Sequence, residues 1–123
     1  MAYKKKIMRY GGEMPQNVRE IVCGHFRDYL RREKMIAGAR RRGHQMMRLQ
    51  QYNRSVDHAL EQVFSAHAIE GSAKQIVRRD LLDMAHGGNA KCVNGYGCMY
   101  SSKQYVAIRE DALFFAARDM GLI

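Results

Sequence analysis

Apolar residues recur at every third or fourth position along much of this chain, and this spacing limits its fold more than any other feature. In the first such segment, from residue 16 to about residue 38, the recurring positions are Val18, Ile21, Val22, Phe26, Tyr29, Leu30 and Ile36. The pattern predicts an amphipathic helix with one face against a core. A single proline and few alternating runs of β-branched residues argue against a β-sandwich or barrel. The sequence therefore predicts an all-α fold.

The same spacing predicts three further helices. The second covers about residues 53–69 and is closed by Gly71, because glycine commonly ends helices. The third covers residues 72–86, and the last begins at Ser101 or Ser102, whose hydroxyls suit a helix N-cap. Together these segments predict a small bundle of about four helices.

Two segments between the predicted helices are less regular. Residues 38–54 contain two glycines and five arginines, and they fit either a frayed helix end with a linker or a short helix carrying a basic stripe. Residues 87–100 contain four glycines and predict a loop or a small β-like hairpin. After the last helix, Gly121 followed by Leu122 fits a C-terminal cap.

A chain of 123 residues is expected to form one domain. Residues 1–14 are predicted to be a flexible basic arm, because a lysine run precedes a Gly-Gly hinge. Residues 15–123 are predicted to be a single helical domain. Its first part, residues 15–54, is a basic helical half, and residues 55–123 resemble a helix-turn-helix.

Positive charge is concentrated in the first part of the chain. The net charge is +9, and residues 1–54 carry 14 basic and 4 acidic side chains, whereas residues 55–123 carry 7 basic and 8 acidic ones. Such an imbalance favours a polyanionic partner, most often nucleic acid. The alternative is a solvated basic face that only aids solubility.

Five arginines form the first candidate site for nucleic acid. They are Arg40, Arg41, Arg42, Arg48 and Arg54. Helical spacing predicts that Arg41, Arg48 and Arg54 lie along one edge, which would suit contacts with a phosphate backbone. The arm adds Lys4, Lys5 and Lys6 as further nucleic-acid contacts, with Tyr3 and Tyr10 as stacking platforms.

The start of the last helix is the second candidate site. A helix-turn-helix presents the first turns of its second helix to the major groove of DNA. Here Ser101, Ser102 and the helix amides would hold phosphates, and Lys103, Gln104 and Arg109 would reach bases or backbone. An ordinary helical hairpin is the alternative, because the connector before this helix is long.

The segment YSSKQYVAIREDALFFAARDMGLI resembles the closing helix of phage late-transcription regulators of the ArpU/RinA type. Residues 18–37 are similar to the opening helix of that family, and YNRSVDHALEQVF takes the place of its central helix. The residues that carry the resemblance in the last helix are Ser101, Tyr105, Arg109, Ala112, Leu113, Phe115 and Ala116. The resemblance implies sequence-specific binding to double-stranded DNA near phage late promoters, in the manner of a sigma-factor-like helix-turn-helix.

A phage transcriptional regulator would work in the cytoplasm of a bacterial host, as a homodimer or with RNA polymerase as partner. The rival hypothesis is a small phage-encoded inhibitor that binds a host nucleic-acid enzyme or its nucleic acid, in the manner of an anti-CRISPR protein, without reading base sequence. A structural virion or packaging component is a third hypothesis. Because no apolar run is long enough to span a membrane, no membrane partner is expected.

The sequence predicts a protein without enzymatic activity and without a cofactor, because it contains no phosphate loop or hydrolase motif. Cys92, Cys98 and His86 are too widely spaced for an ordinary zinc site, so unpaired loop thiols are preferred. Cys23 is predicted to be a small core residue. The carboxylates of two short acidic clusters are expected on exposed helix faces; these residues are Asp80, Asp83, Glu110 and Asp111.

Overall fold

The structure is a computed structural model, and it describes residues 14–83 and 102–123. These residues form five α-helices and contain no strand. The helices are α1 (Gln16–Arg27), α2 (Tyr29–Arg41), α3 (Met47–Ala66), α4 (Ser72–Leu82) and α5 (Ser102–Asp119). The all-α prediction is therefore confirmed.

The first predicted helix is two helices, separated at Asp28. The backbone of Asp28 has φ −88° and ψ 0°, and its amide still bonds to the carbonyl of Gly24 at 2.9 Å. The amide of Arg32 bonds to the carbonyl of Asp28 at 2.9 Å, so α2 begins directly after the break, and neither proline nor glycine marks it. The predicted apolar stripe is also narrower than expected, because Ile21 and Leu30 are 47% and 59% exposed.

Three helices end with the same backbone arrangement, in which a residue with positive φ follows the last turn. Gly43 and Gly121 have φ values of 79° and 76°, as expected for glycine at this position. At the end of α3 the position is taken by Ala68, with φ 52°. The prediction that Gly71 ends this helix is wrong, because Gly71 directly precedes α4 and α3 ends at Ala66.

Helices α3 and α5 run antiparallel and lie at the centre of the core. His67 just beyond the end of α3 contacts Asp111 in α5, whereas His58 contacts Asp119 near the end of α5. Helix α1 packs on both central helices, α2 packs along α3, and the main helix contact of α4 is with α1. Phe26 is fully buried in this core. Cys23 also belongs to the core, as predicted.

The predicted C-terminal helix-turn-helix is not confirmed by the described residues. Helices α4 and α5 make fewer contacts with each other than α5 makes with α3 or α1. Several predicted features lie outside the described residues. They are the arm through residue 13, the connector of residues 87–100 with its Cys92 and Cys98, and the flanking His86 and Ser101. No helix in the described part of the chain combines the length and apolarity that crossing a membrane requires.

Candidate nucleic-acid interface

The first candidate site lies at the turn that connects α2 to α3. Its five residues, which we call the arginine surface, are Arg40, Arg41, Arg42, Arg48 and Arg54. The first two lie in the last turn of α2, the third caps it, and the others lie on α3. All five are exposed.

A capped turn fixes the position of the first three arginines. The amide of Gly43 donates to the carbonyl of Arg40 at 3.0 Å, and the amide of His44 donates to the carbonyl of Ala39 at 2.8 Å. These two bonds are those of a Schellman cap, which suits the positive φ of Gly43. Because Ala39 is buried, the turn is also anchored to the interior.

Buried hydrogen bonds hold the two helices together behind the arginine surface. Arg32 Nε donates to Asn53 Oδ1 at 2.6 Å, and Asn53 Nδ2 donates to the carbonyl of Tyr29 at 3.2 Å. Arg32 and Asn53 are each 4% exposed, so these bonds are shielded from water. The helical hairpin therefore presents its arginines on a defined scaffold.

Within residues 14–83 and 102–123, none of the five arginines forms an ion pair with a carboxylate. Other arginines of the protein differ, since Arg19 pairs with Glu110 and Arg78 lies 3.7 Å from Asp57. The last carbonyls of α2 carry partial negative charge that favours basic residues there. That effect is a fraction of one charge, so the surface stays strongly positive.

The expectation that Arg41, Arg48 and Arg54 share one edge of a helix is wrong. The turn at residues 42–46 places Arg41 on α2 and the other two on α3. Arg54 follows Arg48 by six positions, which rotates one from the other by about 240° around the helix axis. Arg54 lies instead beside a cleft between α3 and α5.

The second candidate site is only partly exposed. Lys103 and Gln104 are exposed in the first turn of α5. The side chain of Arg109 is 15% exposed, its Nε donates to Glu110 Oε2 at 3.0 Å, and its guanidinium lies 5.7 Å from the Tyr105 ring centre. Ser102 begins α5. Of the three predicted base-reading residues, Lys103 and Gln104 are exposed and Arg109 is mostly buried.

The two candidate sites lie at opposite ends of the bundle. Helices α3 and α5 are antiparallel, so the C-terminal end of α3 lies nearer the start of α5. The contact between His67 and Asp111 marks this end. Counting along both helices from this contact places Lys103 about 40 Å from Arg48, at 1.5 Å per residue. The structure therefore does not bring the arginine surface and the start of α5 together.

Three carboxylates predicted to be exposed are buried, and that prediction is wrong for them. Asp80 is 7% exposed, Glu110 9% and Asp111 1%, whereas Asp83 is exposed as predicted. Burial raises the pKa of Asp80 and of Asp111 above the ordinary value. Burial also acts on Glu110, but hydrogen bonds and charge from Arg19 and Arg109 outweigh it and lower its pKa.

A cleft that the sequence did not predict lies beside the arginine surface. It has a volume of about 330 Å³ and combines α3 residues with the end of α5. The residues that line it are Gln51, Tyr52, Arg54, Ser55, Asp119 and Met120. On α3, Gln51, Tyr52 and Ser55 follow Arg48 at spacings of three and four, which places them on one helix face. This spacing is visible in the sequence and predicts the α3 side of the cleft, but it does not show which residues of α5 form the other side.

No model of a known family matches the chain, and neither the curated proteins nor the solved structures contain a significant match.

Proposed function

We propose that this protein binds double-stranded DNA through the arginine surface, as a transcriptional regulator of the kind that its resemblance to the ArpU/RinA type implies. The observation that carries the proposal is the set of five exposed arginines with no carboxylate partner among the described residues. Guanidinium groups suit phosphates because their planar donors match phosphate oxygens in pairs. A binding role, rather than catalysis, is what such a surface favours.

In this proposal the arginine surface supplies affinity through phosphate contacts, and such contacts carry no base sequence information. Base reading falls to Lys103 and Gln104, since the side chain of Arg109 is held by Glu110. The separation of about 40 Å between the two sites requires a duplex longer than one helical turn, or two subunits on neighbouring half-sites.

A second candidate function is supported by the burial of α5. Most residues from Tyr105 to Ala117 are buried, so little of this helix is left to enter a groove. A protein that inhibits a host nucleic-acid enzyme needs charge and shape but no base reading. For that function the arginine surface would bind the nucleic acid of the enzyme, such as its guide RNA, because a positive surface attracts phosphates.

The test is a titration with promoter-proximal duplex DNA from the source genome, a scrambled duplex and a matched RNA, each at two salt concentrations. A preference of roughly a thousandfold for the native duplex at physiological salt supports the regulator. Equal binding to all three, lost as salt rises, supports the inhibitor. Absence of binding at low salt contradicts both.

A further inference from the structure

The cleft between α3 and α5, which we call the Tyr52 cleft, combines the features of a small-ligand site. Its volume of about 330 Å³ lies at the lower end of the range for small-molecule sites. Its lining offers an aromatic ring, a guanidinium, an amide and a carboxylate, from Tyr52, Arg54, Gln51 and Asp119.

The ring of Tyr52 is fixed by its neighbours. It lies against His25, with ring centres 4.3 Å apart and planes inclined by 34°, and the Arg32 guanidinium lies 5.7 Å from its centre. Arg32 is itself held by Asn53 and by the carbonyl of His25. A ring held in this way loses little further freedom when a flat ligand stacks on it.

The opposite wall of the cleft supplies a hydrogen-bond acceptor. Asp119 accepts a hydrogen bond from Ser55, and its Oδ1 lies 2.9 Å from Nδ1 of His58. The hydrogen bond from Ser55, with the contribution of His58, holds the pKa of Asp119 below its ordinary value. The group is therefore a carboxylate at neutral pH, and carboxylates accept hydrogen bonds from exocyclic amino groups of bases.

The cleft also continues the path of the arginine surface. Arg54 belongs to both, and Arg48 precedes Gln51 and Tyr52 by three and four residues on the same face of α3. A strand whose phosphates contact Arg48 and Arg54 would thus pass the mouth of the cleft. A base that leaves the stack at this point would meet the Tyr52 ring.

We propose that the Tyr52 cleft receives one unstacked nucleobase of the DNA strand whose phosphates the arginine surface holds. The proposal rests on the proposed function. Tyr52 stacks on the base, Arg54 contacts its phosphate, and Asp119 accepts a hydrogen bond from an exocyclic amino group. The cleft therefore prefers adenine, cytosine or guanine to thymine, which has no amino group.

The experiment compares a fully paired duplex with one of the same length that carries a single unpaired 2-aminopurine, whose fluorescence reports stacking. The bulged duplex is expected to bind roughly tenfold more tightly, since stacking of a base on an aromatic side chain contributes 1–3 kcal/mol, and its fluorescence should fall on binding. An unpaired thymine at the same position should give a smaller preference than an unpaired adenine.

The variant Tyr52→Leu should abolish the preference for the bulged duplex and leave affinity for the paired duplex unchanged. Ser65→Leu, at an exposed position of the same helix outside the cleft, should retain the preference. If Tyr52→Leu fails to fold, Met120→Ala takes its place, because Met120 lines the cleft and is not among the residues that hold Arg32. It should reduce the preference at least twofold.

The outcomes separate the two proposals. If wild-type protein binds neither duplex at low salt, the proposed function fails. If it binds both duplexes with equal affinity, DNA binding stands and the Tyr52 cleft proposal is overturned. Retention of the preference in folded Tyr52→Leu overturns it as well.

Discussion

Arg19 on α1 and Glu110 on α5 form a bidentate ion pair across 91 positions of sequence, with both guanidinium Nη atoms donating to the two carboxylate oxygens. Arg109 donates to the same carboxylate, so Glu110 is shared by two guanidinium groups. The next residue, Asp111, is buried beside His67, at 3.0 Å from Oδ2 to Nε2. The pKa of Glu110 is thus lowered and the pKa of Asp111 is raised, although the two residues are neighbours on α5.

Glu110→Gln should destabilise the fold most at neutral pH. The pKa of Glu110 is lowered in the folded state, so its ionisation contributes stability above its unfolded pKa, and this contribution is lost as pH falls through the folded pKa. We expect a loss of about 3 kcal/mol at neutral pH, since breaking a buried pair leaves charge uncompensated. Urea unfolding at several pH values measures it, and the exposed Glu61→Gln is the control. A loss that does not shrink toward low pH would contradict the assignment.

Asp111→Asn should show the opposite pH trend. Burial raises the pKa of Asp111, and this outweighs the hydrogen bond to His67, so ionisation of Asp111 opposes folding. The penalty is absent below the unfolded pKa and is complete once pH has risen above the folded pKa. The stability of Asp111→Asn relative to wild type should therefore increase as pH rises from acid to neutral. A relative stability that decreases over the same range would show that the interaction with His67 outweighs burial.

Ala68→Gly should stabilise the protein by about 1 kcal/mol, because a non-glycine residue with positive φ is strained and glycine is not. Ala68 is exposed, so no packing is lost. The reverse change at the equivalent position after α2, Gly43→Ala, should destabilise by a similar amount, since a methyl group there meets no atom within 4 Å and only the backbone strain is added. Thermal and urea unfolding measure both. Equal effects in the same direction would contradict this explanation.

The helices could largely be predicted from apolar spacing, but their partners could not. The break at Asp28 has no local signal in the sequence, because neither proline nor glycine lies there. The buried state of Glu110 depends on Arg19, which is remote in sequence. A charged residue in a short acidic cluster is more often exposed, and only the fold shows that two guanidinium groups meet this one.

Charge removal at the turn should weaken DNA binding in a salt-dependent way. Replacing Arg40, Arg41 and Arg42 by alanine should reduce the slope of log affinity against log salt by about 3, since each phosphate contact contributes about 0.9. Arg79→Ala, at an exposed position of α4, is the charge control and should leave the slope unchanged. An unaltered slope in the triple variant would show that DNA binds elsewhere.

Lys103→Ala distinguishes the two candidate functions. In a regulator it should reduce discrimination between native and scrambled duplex by about tenfold, as expected for one lost base contact of 1–3 kcal/mol. In an inhibitor it should change neither affinity nor discrimination. Gel-shift titration of both duplexes at physiological salt gives the ratio. The exposed Lys74→Ala on α4 is the matched control, and an equal effect there would exclude a specific role for Lys103.

The candidate site was predictable in part for the same reason as the fold. Clustering of arginines is visible in the sequence, and their exposure follows from charge. Their division between two helices depends on Gly43, which the sequence alone does not distinguish from Gly38 as the end of α2. The distance between Lys103 and the arginine surface follows from the antiparallel packing of α3 and α5, and this packing is a long-range property.

The central position of α5 also determines when the protein can fold during synthesis. Its buried residues contact α1 and α3, so the core cannot close until the ribosome has made the last of the five helices. Translation at 5–20 residues per second leaves the strongly basic first half of the nascent chain without its finished core for several seconds. In that interval the 14 basic side chains of residues 1–54 are close to ribosomal RNA before Glu110 can pair with Arg19. Capture of this segment by RNA would therefore compete with closure of the core until α5 has been made.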